Sequence, residues 1–486
     1  MEIQSKRTGQ KAILTGEIIQ KNHHPDYGID CRSYFSLLQI ILIITFLPLF
    51  ALFTFLIKNF HFKFNLSLCN KSLLLTTINT NNLFIVMKNA KMASLLFVLS
   101  AGSMMFAQDD LINKLKNNHS QNANFQFTTL KDVGATSVKN QGSSGTCWSY
   151  SGNSFLESEM QRMGKKPVDL AEIFTARNSY HDKAKLYVLN SGAISWGDGG
   201  ELHDVINMYK KYGAVPQDVY SGLKPGQTTN NFKEMQGKLK PVLDSLVQAS
   251  SKGKLTDNWM NSVDAILDEY LGKVPANFTY EGKNYTPKTF ANEVVGINAD
   301  DYVELSSYKD YPYYQKFVVP IPDNWSHDSD WNVPMKDLTA IVDNAVTKGY
   351  SVGWATDVSE PYFSYKNGVA YVPDMDLEQI TADNKQTLFT EPKKDKTITE
   401  DMRQKALNNL STTDDHGMHI VGLAKDQTGK EYYMVKNSWG VTNDFAGYLY
   451  VTRPYVEYKS TAILVHKNAI PKNILKQLKP TKNIGL

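Results

Sequence analysis

The chain has 486 residues, 42% hydrophobic and 21% charged, and its 52 Lys and Arg against 49 Asp and Glu give a formal net charge of +3. It can bury a large core, and its length suggests about three domains as a prior. The near balance of charge gives no case for a nucleic-acid partner.

Residues 1–86 read as an over-extended N-terminus outside any fold. Within them residues 37–57 are almost wholly apolar, interrupted by Gln39, Thr45, Pro48 and Thr54, and are long enough to span a bilayer. Residues 87–107 start with Met87-Lys88-Asn89-Ala90-Lys91-Met92, run through an apolar stretch from Ala93 to Met105 and end at Phe106-Ala107 before the polar Gln108-Asp109-Asp110. A charged start, a short apolar run and a small residue before a polar sequence make a secretory signal peptide. The expected true start is Met87 and the expected location is outside the cytoplasm, in a periplasm, on a cell surface or beyond it. A membrane anchor through residues 37–57 is the alternative; the mass of the native N-terminus separates the two, and a retained Met1 contradicts export. Removal of residues 1–107 takes away ten basic and four acidic residues, so 42 basic and 45 acidic residues remain, a net of −3. It also removes Cys31 and Cys69, and the mature chain, 108–486, then holds Cys147 as its single cysteine, with no internal disulfide open to it.

Residues 108–139 form a polar leader with one extended piece, Leu130-Lys131-Asp132-Val133-Gly134, expected to line a cleft. Asn140-Gln141-Gly142-Ser143-Ser144-Gly145-Thr146-Cys147-Trp148-Ser149-Tyr150 follows, a loop of small residues running into Trp148, Phe155, Leu156, Met160 and Met163, whose spacing suits an amphipathic helix. Gly164-Lys165-Lys166-Pro167 ends it. Cys147 therefore stands at a helix N-terminus, where unpaired N–H groups and the macrodipole are expected to make the thiol ionise more easily than a free cysteine. Asp198-Gly199-Gly200-Glu201-Leu202-His203 opens a further helix that leaves through Tyr212-Gly213-Ala214-Val215-Pro216. Two helical stripes come next: Phe232, Met235, Leu239, Val242, Leu243, Leu246 and Val247, with Pro241 expected to kink or break the helix, and Trp259, Val263, Ile266, Leu267, Tyr270 and Leu271. Residues 335–349 form a helix and 351–355 a strand.

Asp415-His416-Gly417-Met418-His419-Ile420-Val421-Gly422-Leu423 is a buried strand opened by a histidine. Tyr432-Tyr433-Met434-Val435-Lys436-Asn437 is the next strand, ending in an asparagine before Ser438-Trp439-Gly440. The turn residues from Asp426 to Gly429 make a hairpin that brings His416 and Asn437 to one end. There the Asn437 amide oxygen can accept an imidazole N–H and fix the tautomer. Trp439 is expected to pack over the pair; His419, three residues on from His416, belongs to the opposite face and is structural. Residues 447–452 form the closing strand.

The order Gln141, Cys147, His416, Asn437, with Asn-Ser-Trp-Gly at the last member, resembles the papain-like cysteine peptidases, and most of all their bleomycin hydrolase and aminopeptidase C branch. The interval from Cys147 to His416 is 269 residues, against about 130 to 150 in the papain and cathepsin type. The Asp-Gly-Gly stretch with its Tyr-Gly-x-Val-Pro exit is similar to that branch, and Ser144 stands where secreted papains carry a disulfide cysteine. The resemblance implies an α+β, two-lobed papain-like fold, with a helical left half, an antiparallel β right half and a large, mostly helical insertion over residues 221–331. It implies Cys147 as nucleophile, His416 as base, Asn437 as its orienting group and Gln141 as oxyanion donor, with Gly199, Gly200 and Trp439 at the substrate cleft. It also implies peptide or protein substrates, no cofactor and no metal, and a homo-hexamer. The tail from Pro471 to Leu486 is basic and departs from the branch's ending, which leaves aminopeptidase and endopeptidase action both open. A non-catalytic binding protein on the same fold is the reading from another class; a binding role does not require all four residues.

Overall fold

The computed structural model describes residues 108–478, apart from Lys116 and Asp383. They lie in one unit of the chain, Gly102–Leu486. The expected membrane-length segment and signal peptide lie outside the described residues, and among the described residues no helix is long and apolar enough to cross a membrane.

A short helix, α1 (Gln108–Leu115), precedes the first strand, β1 (Phe127–Asp132). The helical half is built on α2 (Cys147–Arg162), α3 (Glu172–Leu189) and α4 (Leu202–Tyr212). Instead of presenting one wet face, α2 is buried on every residue from Trp148 to Met160. Its small residues make this possible, because the helix lies between α3 and α4 on one side and the sheet on the other. Its polar groups are satisfied inside: Ser149 Oγ donates to Glu172 O at 2.7 Å, and Asn153 Nδ2 to Ser149 O at 2.8 Å.

The two apolar stripes form α5 (Lys233–Ser251) and α6 (Met260–Leu271), which pack on each other and on α3 through Met235, Leu239, Leu243, Val263 and Leu267. Pro241 does not end α5. It removes one backbone bond, whose acceptor is four residues back at Gly237, and the buried stripe on both sides carries the helix through.

The chain then turns to strands. β2 (Phe278–Tyr280) and β3 (Lys283–Tyr285) make a hairpin of their own, while β4 (Tyr302–Ser306), β5 (Lys316–Val318) and β6 (Ser329–Asn332) join the main sheet. The expected helical insertion is thus helical up to Leu271 and mixed beyond it, where short strands alternate with brief helical turns at Pro287–Phe290, Ala291–Val295 and Ala299–Asp301. α7 (Met335–Thr347), β7 (Val352–Thr356), β8 (Phe363–Ser364), β9 (Val369–Ala370) and α8 (Glu400–Asn408) lead into the hairpin of β10 (His416–Asp426) and β11 (Glu431–Lys436); β12 (Tyr448–Val451), α9 (Arg453–Lys459) and β13 (Ser460–His466) close the fold. The eleven-stranded sheet has the order β5-β6-β4-β13-β7-β10-β11-β12-β9-β8, with β1 also on β10. It is mainly antiparallel, with parallel pairs at β4·β6 and β12·β9. β7 pairs with the first half of β10 and β1 with the second, so β10 lies at the centre, under α2.

One expected position is corrected. The piece from Leu130 to Gly134 does not line the cleft: Val133 N bonds Val421 O, and Gly134 O accepts from Ser158 Oγ, three turns along α2 from Cys147. The β-pairing of Thr129 and Lys131 with Ala424 and Leu423 draws this piece to the far end of β10.

Candidate active site

Asp426 makes the hairpin turn, its carboxylate accepting the Thr428 and Lys430 N–H groups at 2.8 and 3.1 Å. The register then pairs His419 with Lys436, so His416 and Asn437 meet at the opposite end. His416 Nε2 donates to Asn437 Oδ1 at 2.7 Å, and Ser438 N–H donates to the same oxygen at 2.7 Å. Two donors on one oxygen fix which end of the amide faces the ring, and this assigns the Nε2–H tautomer. The other ring nitrogen, Nδ1, is buried and has no partner among the described residues. Trp439 lies over the imidazole, ring centroids 4.4 Å apart, and is held in turn by Tyr365, whose hydroxyl donates to Trp439 O at 3.0 Å.

β10 reaches the first turn of α2 because residue 417 is glycine: a Cβ there would lie 2.9 Å from Ser151 Oγ and 3.2 Å from Trp148 N. That approach sets the residue before it, His416, beside the start of the helix. The Cys147 thiol faces the backbone N–H groups of Gly417 and Trp148, which favour the thiolate. Burial outweighs them and pushes the thiol up to about 12, with the carboxyl groups of Asp414 and Asp323 adding to the rise. With the imidazole neutral, desolvation of the half-buried sulfur exceeds what the helix end supplies. Burial also lowers His416, to about 4, against the opposing pull of the Asn437 hydrogen bond. Neither group readily carries a lone charge, whereas moving the proton from Sγ to Nδ1 leaves the pair neutral as a whole.

Gln141 is fully buried. Its Oε1 accepts from Ser438 Oγ at 2.6 Å and its backbone N–H donates to Ser438 O at 2.9 Å, which leaves the side-chain Nε2 as a buried donor with no partner among the described residues. The Cys147 backbone N–H is likewise the first of those that a helix start leaves unpaired. A network absent from the expectations braces this strand segment from below: Lys139 Nζ lies 2.6 Å from Glu172, Gly440 N donates to Lys139 O at 3.0 Å, and Lys436 Nζ donates to Ser154 Oγ at 2.8 Å. Lys436 itself is pushed down to about 8 by burial. His419 is the structural residue expected of it, buried against α2 with Nδ1 2.9 Å from Ser154 Oγ.

Gly199 and Gly200 belong to a loop laid across the start of α2. Trp148 Nε1 donates to Asp198 O at 2.9 Å, Tyr180 Oη to Asp198 Oδ1 at 2.5 Å, and Lys183 Nζ to the carbonyls of Gly197, at 3.0 Å, and Gly199. A Cβ on Gly200 would strike the Trp148 ring, and one on Gly199 the Asp323 carboxylate. Nothing in the local sequence of Asp323 signals this approach, because it comes from a segment 124 residues away in the chain.

Among the described residues one set of side chains has metal-ligand chemistry, His203, Glu304 and Asp330, with donor atoms within 4.8 Å of one another. These atoms already serve each other and their neighbours: His203 Nδ1 pairs with Glu304, His203 Nε2 meets Ser326 Oγ at 3.2 Å, and Ser306 Oγ donates to Asp330 at 2.5 Å. The set ties α4 to β4 and β6.

The profile of the Peptidase C1-like family matches residues 173–485. Aminopeptidase G of Lactobacillus delbrueckii subsp. lactis is 25% identical over 383 residues, 69% of this chain and 82% of the relative. Aminopeptidase C of Listeria monocytogenes is 22% identical over 381 residues, 71% of this chain and 83% of the relative. Among solved structures, PepW from Lactobacillus rhamnosis superposes with a TM-score of 0.58 at 19% identity, covering 82% of this chain and 94% of its own.

Proposed function

The chain belongs to the Peptidase C1-like family and is a cysteine-type peptidase, and from that premise we propose that Cys147, His416, Asn437 and Gln141 carry the reaction and that it trims residues from peptide N-termini. The observation that carries this reading is a pair of buried nitrogens with no partner among the described residues, Nδ1 of His416, whose neighbour Gly417 packs on the first turn of α2, and Nε2 of Gln141, six residues before Cys147. Burying a polar group without a partner costs about 1–3 kcal/mol. Two such costs at one thiol suit a site whose missing partners arrive with the reaction.

The Sγ proton passes to His416 Nδ1 as sulfur attacks the scissile carbonyl carbon. The carbonyl π pair moves to oxygen, and the Gln141 Nε2–H and Cys147 N–H groups donate to that oxyanion. On collapse the C–N bond breaks, and His416 returns its proton to the leaving amine. Water then attacks the thioester, giving a proton to His416, and the expelled sulfur recovers it. Asn437 holds the ring in the tautomer that keeps Nδ1 free, and Trp439 keeps water from the hydrogen bond between them.

Trimming of N-termini rests on the relatives, which are aminopeptidases by name. The test is hydrolysis of peptides with a free α-amino group against the same peptides N-acetylated. The expected result is a preference for the free amine of at least about a hundredfold in kcat/KM. Comparable rates on both would leave a cysteine endopeptidase.

A further inference from the structure

We propose that Asp323 is a specificity-determining residue: its carboxylate closes the cleft at Gly199 and takes the free α-ammonium group of the substrate. The proposal deepens the aminopeptidase reading of the same site and rests on it.

Asp323 sits in the segment Val319-Pro320-Ile321-Pro322-Asp323-Asn324-Trp325, which returns from β5 toward β6. Two prolines restrict its backbone. Beyond Asp323 it is pinned twice: Asn324 Nδ2 donates to Val319 O at 3.2 Å and to Asp328 O at 2.9 Å, and Trp325 Nε1 donates to Asp204 Oδ2, on the first turn of α4, at 2.8 Å. The carboxylate between these anchors lies in the space that a side chain on Gly199 would need. The residues on either side of Gly199 touch those on either side of the nucleophile's position, since Asp198 lies against Gly145 and Gly200 against Trp148. Asp323 is thus one loop's width from Cys147.

The carboxylate accepts no hydrogen bond from the described residues, although most neighbouring polar groups are engaged. The cation that acts on it electrostatically, Lys183, donates to the carbonyls of Gly197 and Gly199. A second acceptor points the same way: Glu201, only 3% exposed and on the same loop, has a buried Oε1 with no partner among the described residues, and Asp323 and Asp414 both act on it electrostatically. Asp414, immediately before the Asp415-His416 pair, completes the acidic end of the cleft. The Asp323 carboxylate, with no donor among the described residues, and the unpartnered Oε1 of Glu201 call for a compact cation rich in N–H groups. A primary ammonium brings a positive charge and three donors. The corresponding point of an internal peptide is a neutral amide with one N–H, and its chain would have to continue through the segment that carries Asp323.

The test measures kcat and KM for aminoacyl amides and their N-acetyl forms with the full enzyme and its Asp323→Asn, Asp323→Ala and Asp323→Glu variants. Cys147 alkylation by iodoacetamide reports an intact site. The expected result for Asp323→Asn is a loss of at least about a hundredfold in kcat/KM on free amines, carried mainly by KM, with acetylated substrates unchanged or improved. Asp323→Glu recovers part of it. Should the variants fail to fold, the wild-type enzyme still decides: KM for the free amine must rise with pH above the α-amino pKa of about 8, and a flat KM overturns the proposal. A free-amine preference that survives Asp323→Asn overturns it while leaving the aminopeptidase reading standing. A wild-type enzyme without that preference removes the aminopeptidase reading itself.

Discussion

Cys147→Ala is expected to lower kcat for peptide hydrolysis by at least about a thousandfold while the protein keeps its fold. The side chain lost is one sulfur at the first position of α2, and the polar bonds that hold this turn run through other residues: Ser151 Oγ to Cys147 O at 2.8 Å, and Trp148 Nε1 to Asp198 O at 2.9 Å. Stability therefore changes little, and thermal melting of the two forms checks this. Cys147→Ser is expected to be nearly as inactive. A serine hydroxyl has to be deprotonated by a capable base, and burial leaves His416 with a pKa of about 4. The thiol escapes this limit because sulfur bears charge more readily, so the proton can cross to Nδ1 within a neutral pair.

Gln141→Ala is expected to lower kcat about 100- to 1000-fold with little change in KM. The amide is already oriented in the resting protein, with Oε1 taken by Ser438 Oγ at 2.6 Å, so its Nε2 donor needs no rearrangement when charge appears on the substrate oxygen. Preorganisation of this kind acts on the transition state and barely on the ground state, which is why the loss falls on kcat. Ser438→Ala should cost less, about tenfold, because it frees the amide to rotate without deleting it. Steady-state kinetics on one peptide amide separates the two cases; a Gln141→Ala loss confined to KM would assign Gln141 to substrate binding alone.

The residues that carry this chemistry are those most legible in the chain, because each is set by local structure. Cys147 follows a run of small residues and starts a helix; His416 and Asn437 end two strands joined by a short turn; Gln141 precedes the cysteine by one loop. Local rules of periodicity and turn chemistry suffice to place them. What escaped depends on contacts between distant segments. The pattern of α2 looked amphipathic because only its large residues were visible, while burial of its serines depends on β10 lying against them. β4, β5 and β6 are three to five residues long and are strands mainly because β13 offers an edge to β4, β4 one to β6 and β6 one to β5. The same division holds at the thiol: the helix N-terminus is written locally, whereas the Asp323 and Asp414 carboxyl groups that act against it come from other parts of the chain.

The proton path from Cys147 to His416 is the centre of the mechanism, and the pH dependence of Cys147 alkylation tests it most directly. Burial disfavours a lone charge on either group, so the proton that leaves Sγ passes to Nδ1 and the pair keeps one proton between them across the neutral range. The fraction present as thiolate and imidazolium is then constant, and the rate of iodoacetamide reaction at Cys147 should be flat from about pH 6 to 9. In His416→Gln the proton has no acceptor, the thiolate forms only by loss to solvent, and the rate should rise about tenfold per pH unit over the same range. A wild-type rate that climbs in parallel with the His416→Gln rate would contradict the account, because it would mean that Cys147 ionises without His416.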